Sequence, residues 1–240
     1  VGATRSVSPE ALARVAAYVR ASGLEQLSER AGDVSLAVAD LLDAMGEVGA
    51  VSDPEGLYRY PVPMLSEDGS CSVVDQLSPT PYDLAGMLGG RSEQATRRLA
   101  LLKRLVERTQ QTTGTDWVGV YAKRSLQSGG EVLAKVAYVG RPSRAEFPLT
   151  PEFAVGSTNS SVGLTGRALV IEDVAQHVAA GGGFYVCDAE VQSEACLPLL
   201  NERGQVLGIL DAEAKPKGFF SATRLAALAA LAIVAAPILP

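Results

Sequence analysis

The sequence predicts an α+β fold: an antiparallel sheet with helices packed on one face, preceded by an N-terminal helical region. Apolar residues recur at spacings of three and four over ALARVAAYVRASGLEQLSERA and over VSLAVADLLDAMGEVGAV, the period of half-buried helices. Later in the chain, WVGVYAKR and GEVLAKVAYVG form one pair of strand-like runs, and EACLPLL and GQVLGILDAEA form another. GFFSATRLAALAALAIVAAPI then returns to a helical pattern.

Taken in order, Ser8 is a helix cap, Pro9 fits the first helical position, and the first helix follows. A second helix starts at about Val34. From Ser52 to Pro81 the chain is rich in proline and aspartate with no sustained period, an irregular linker containing Cys71. SEQATRRLALLKRLVERTQQTTGTD is a third helix ending near Thr112–Gly114. It leads into WVGVYAKR, with GEVLAKVAYVG as hairpin partner. Residues 141–165 are turn-rich, and GRALVIEDVAQ suggests a short helix and strand. Asn-Glu-Arg-Gly at 201–204 joins the last two strands, and Ser221 caps the final helix. The expected division is 1–91, helical region and linker, and 92–240, sheet domain. One sheet face is left, with its covering loops, for a small ligand.

Hydrophobic residues make up 47% of the 240, ample for a core, and the net charge of -6 gives no footprint for a nucleic-acid backbone. Leu225 to Pro240 is almost wholly apolar but 16 residues long, short of the about 20 a membrane span needs. It reads as a helix buried against the sheet or another subunit, and the helices are the expected homodimer face. Three cysteines form no disulfide framework, which points to the cytoplasm. No CxxC, HExxH, phosphate loop or dinucleotide fingerprint appears, so neither a metal nor a cofactor is expected.

The informative polar residues sit in or beside strands. Asp211 and Glu213 share a strand face, and Glu194 precedes the neighbouring strand. Adjacent carboxylates repel, so they belong either at a solvated strand end or around a cation. Three acids on one pocket suit an ammonium group. Trp117 and Tyr121, four apart, also share a face and form an aromatic wall. Cys187 follows Gly181–Gly183 in a loop over that space, where neighbouring acids oppose thiolate formation. His177 is either a distant base or a helix-end residue. Cys196 lies in an apolar run, as a core thiol or a resolving one.

With these residues in place, the chain resembles the GAF domains, and within them the free methionine-(R)-sulfoxide reductases. WVGVY, CDAEVQSEACLPL, GQVLGILDAEA and the helix after them carry the resemblance over roughly 92–236. It implies that Trp117 and Tyr121 wall the pocket, that Glu194, Asp211 and Glu213 hold the ammonium of a free amino acid, and that Cys187 is the redox cysteine. The position of Glu213 is typically aspartate in that family. The family's two upstream cysteines are missing: SSVGLTGRA has Leu164 near one place, and AEFPLTPEFAVG has none. Resolution of Cys187 would then fall to Cys196, Cys71 or an external thiol reductant. The implied function is thiol-dependent reduction of free methionine-(R)-sulfoxide or a close analogue; the alternative is a non-catalytic sensor of a small amino-acid-like ligand.

Overall fold

The computed structural model describes residues 7–46, 51, 53–66 and 76–240. Helix α1 (Pro9–Ser22) starts where the sequence places it, with the Ser8 hydroxyl accepting the Ala11 amide at 3.2 Å. Gly23 ends it in the left-handed conformation, φ 78°, which costs glycine nothing. A 3-10 turn over Glu25–Arg30 feeds α2 (Ala31–Met45), a start slightly ahead of the expected Val34.

The expected irregular linker is in part ordered. Helix α3 (Glu55–Tyr58) runs into β1 (Arg59–Tyr60), which pairs antiparallel with β2 (Tyr82–Asp83), and a further bridge joins Pro63 to Leu77. Strands of two residues show no periodicity, so pattern reading passes over them. Burial of the Tyr58 and Tyr60 rings holds this ladder to the rest of the molecule, and the Tyr60 hydroxyl donates to the Lys135 carbonyl at 2.7 Å. Cys71 lies outside the described residues.

Helix α4 (Glu93–Thr113) is capped by Ser92 and closed by left-handed Gly114. Then follow β3 (Trp117–Ser125), β4 (Glu131–Val139), β5 (Glu146–Pro148), α5 (Pro151–Ala154), α6 (Thr158–Thr165), β6 (Leu169–Ile171), α7 (Val174–Ala179), β7 (Ser193–Leu200), β8 (Val206–Ala214) and α8 (Ala222–Ala235). The strands form one antiparallel sheet in the order β5-β4-β3-β8-β7-β6. The predicted β3–β4 and β7–β8 hairpins are both present. The turn-rich reading of 141–165 missed β5, α5 and α6. Their lengths of three, four and eight residues give periodicity little to work on.

Helices α1, α2, α4 and α8 share one core with the inward residues of the sheet, including Val118, Val120, Ala195, Leu197, Leu210 and Ala212. Helix α8 touches α2, α4 and β7, and its Leu225, Leu228, Leu231 and Ile233 are all buried. The apolar C-terminal run is therefore buried within the chain. Among the described residues no helix is long and apolar enough to cross a membrane.

Pro198 in β7 is tolerated because β6 reaches only as far as Cys196, which leaves that side of β7 open. The Tyr18 hydroxyl of α1 takes the Pro198 carbonyl at 3.0 Å, fastening the N-terminal helices to the sheet. The opposite sheet face is covered by α5, α6 and the loops around α7.

Candidate ligand-binding site

Strand register assembles the site. Trp117 lies opposite Glu213 and Gly119 opposite Asp211, while Cys196 pairs with Asp211 and Glu194 with Glu213. Pleating then puts Trp117, Tyr121, Glu194, Cys196, Asp211 and Glu213 on the face away from the helices. Glu194 and Asp211 are 2% and 3% exposed, so the strand-end solvent reading of Asp211 does not hold. Glu213 is half-buried. The Trp117 and Tyr121 rings are 6.3 Å apart, and the indole lies across Gly119, where any side chain would overlap it.

The first turn of α6 faces the acids. The Thr158 hydroxyl donates to Glu194 Oε1 at 2.5 Å, and Asn159 Nδ2 donates to Asp211 Oδ2 at 3.1 Å. Glu194 Oε2 and Asp211 Oδ1 are buried and accept from no N–H or hydroxyl; the two carboxyls hydrogen-bond to each other when one of them holds a proton. Burial, reinforced by the Asp211 charge, holds the Glu194 carboxyl well above its ordinary range. Burial pushes Asp211 up to about 6, against the pull of its hydrogen bond from Asn159. Burial and mutual repulsion thus oppose two full charges on the pair, which leaves a site matched to a single cation. Sequence reading missed Thr158 and Asn159. The polar run Ser157–Ser161 signals a helix start, but only the fold turns that start toward the carboxylates.

The rim is the loop after β4, anchored by three side chains of the site face. Trp117 Nε1 donates to the Arg141 carbonyl at 3.0 Å, Lys135 Nζ to the Ser143 carbonyl and hydroxyl at 2.7 and 2.8 Å, and the Tyr121 hydroxyl to the Arg144 carbonyl at 3.2 Å. Lys135 is fully buried, with Nζ 4.2 Å from the Tyr138 ring centroid and 5.2 Å from that of Tyr60. A lysine inside the apolar run VLAKVAYV was the sequence signal for it.

The anchored loop reaches the cysteine loop on both sides of Cys187. Arg141 lies 3.4 Å from the Asp188 carboxylate, and Arg144 Nη1 donates to the Tyr185 hydroxyl at 2.9 Å. Cys187 is half-buried and unbridged. The Tyr121 phenol is raised well above its ordinary value by burial first, then by the charge of Asp211. His177, at the end of α7, has Nε2 3.2 Å from the Gly183 carbonyl. A side chain on Gly183 would overlap the Val155 carbonyl, so the glycine loop and the α5–α6 connection close tightly on each other. Cys196 lies in the site-face cluster with Trp117, Tyr121, Phe147 and Ile209. Burial, then Asp211 and Glu194, push its thiol well above its ordinary value. Among the described residues no three His, Cys, Asp or Glu side chains are grouped to hold a metal ion.

The sequence pattern of the GAF domain matches residues 97–239, and the chain belongs to that family. No curated protein matches it. The type II free methionine-R-sulfoxide reductase from Thermoplasma acidophilum superposes with a TM-score of 0.53 at 21% identity, over 61% of this chain and 95% of that one. The free methionine-R-sulfoxide reductase from Neisseria meningitidis gives 0.49 at 21% identity, over 59% and 77%. The GAF domain of the Acinetobacter phosphoenolpyruvate-protein phosphotransferase gives 0.47 at 16% identity, over 59% and 81%. At 21% identity the likeness to the Thermoplasma structure is one of fold.

Proposed function

We propose that the domain binds a small free amino acid or close analogue, taking its ammonium group between Glu194, Asp211 and Glu213 against the Trp117–Tyr121 wall. The observation that carries this reading is the pair of buried carboxyls, Glu194 and Asp211, whose Oε2 and Oδ1 receive no N–H or hydroxyl donor. Negative charge buried there is costly, and an ammonium donor offsets that cost on binding. Titration calorimetry with free L-methionine sulfoxide tests it. Saturable binding near neutral pH that weakens at least about tenfold in Asp211→Asn, the loss of about 1.4 kcal/mol, is expected. No saturable binding of this or any free amino acid overturns it.

A reductase reading of the same site is supported by Cys187 standing in the loop that Arg141 and Arg144 engage on either side of it, at Asp188 and Tyr185. In it the Cys187 thiolate attacks the sulfoxide sulfur, the oxygen passes to the cysteine with uptake of one proton from solvent, and methionine and a Cys187 sulfenic acid result. An external thiol then forms a mixed disulfide with loss of water, and a second thiol restores Cys187. Cys196 is a poor resolving group because its thiol is held protonated. Turnover of the R sulfoxide with a dithiol, lost in Cys187→Ser, is the expected result. Binding without turnover leaves the sensor reading.

A further inference from the structure

Arg144 occupies an unusual position for a loop arginine. Its guanidinium carbon lies 5.7, 5.0 and 5.2 Å from the ring centroids of Phe147, Phe153 and Tyr185, which come from β5, α5 and the glycine-rich loop. Its own carbonyl is held by the Tyr121 hydroxyl, so the residue is fixed to the floor of the site. Phe147 meets Tyr121 edge-on at 5.4 Å, and Tyr121 continues to Trp117. One aromatic wall therefore runs from the guanidinium toward the acids, with Leu133 and Ile209 in the same cluster.

The two ends of that wall carry opposite charge. Arginine stays cationic at any accessible pH, and partial burial among rings compensates its lost hydration only in part. Nε donates to the Glu146 carbonyl and Nη1 to the Tyr185 hydroxyl, which orients the guanidinium; its fork of N–H donors matches a carboxylate, and the Tyr185 hydroxyl can itself donate to the same anion. We propose that Arg144, together with Tyr185, receives the ligand's carboxylate, so that the site selects a zwitterion over a simple amine. This inference rests on the amino-acid reading given above.

The test compares free L-methionine sulfoxide with its methyl ester, by calorimetry on the full chain at about pH 6, where both amines are protonated and only the ester lacks the negative charge. The wild type is expected to bind the acid at least about tenfold more tightly than the ester. Arg144→Gln is expected to bring the acid down to the ester's affinity while changing the ester's by less than about twofold. Arg144→Lys, which keeps the charge without the fork, should fall between and serves where the glutamine variant does not fold. Equal affinity for acid and ester in the wild type removes the proposal and leaves the ammonium reading standing. Equal weakening of both ligands in Arg144→Gln also overturns it, because that is the signature of a loop fastener. If neither ligand binds the wild type, the amino-acid reading fails and the proposal falls with it.

Discussion

Asp211 illustrates how burial reshapes the chemistry of a strand residue. Its pKa is raised from 3.8 to about 6, so between those values the folded chain holds a proton that the unfolded chain has released. Stability therefore falls as pH rises from about 4 to about 6 and stays lower above it, by at most about 3 kcal/mol. Asp211→Asn removes the charge, and its side-chain oxygen still accepts from Asn159. That variant is expected to gain about 1–3 kcal/mol at pH 7.5 and nothing at pH 4, read from urea unfolding at the two pH values. Lower stability at pH 7.5 would contradict the burial argument. Asp211 with Glu213, and Trp117 with Tyr121, were legible as pairs because a period of two puts each pair on one face; that Glu194 and both pairs meet depends on strand register. Thr158, Asn159, Lys135 and Arg144 were not, because their roles depend on which loop folds over which strand.

Two loops close the site, and Gly183 is where they meet. Its Cα packs so near the Val155 carbonyl that an added methyl has no room, and the obstacle is backbone, which cannot rotate away. Gly183→Ala is expected to part the connection between α5 and α6 from the glycine-rich loop. Faster amide exchange at 153–157 and 182–188, with a weaker ligand affinity, is the expected outcome; unchanged exchange would show that the loops are not in close contact. The strands and long helices were read correctly because period and caps agreed. The short elements at 55–60 and 146–165 were missed because they are held by tertiary packing and caps.

At the scale of the whole molecule, the N-terminal helices belong to the same core as the sheet. Leu27 is fully buried and shares that core with Leu99, Leu197 and Leu228, and α8 packs against α2 as well as β7. Leu27→Ala is expected to cost about 2–5 kcal/mol and to lower the stability of helices and sheet together in one unfolding transition. Two separate transitions, with the sheet unaffected, would mean that the N-terminal region is an independent layer. The amphipathic period of the helices announced a buried face, but sequence alone did not show that α8 is covered by the same chain.

The central claim is that an ionised Asp211, beside Glu194, receives a ligand ammonium, and its most direct test is the affinity for free L-methionine sulfoxide measured from pH 5 to pH 8. The ligand stays cationic at its amine across most of this range, so the titration belongs to the site. Affinity is predicted to be nearly level above pH 7 and to fall toward about tenfold per unit below about 6, as Asp211 takes up its proton. Saturable binding with no such fall would contradict the assignment of the ammonium to these carboxylates.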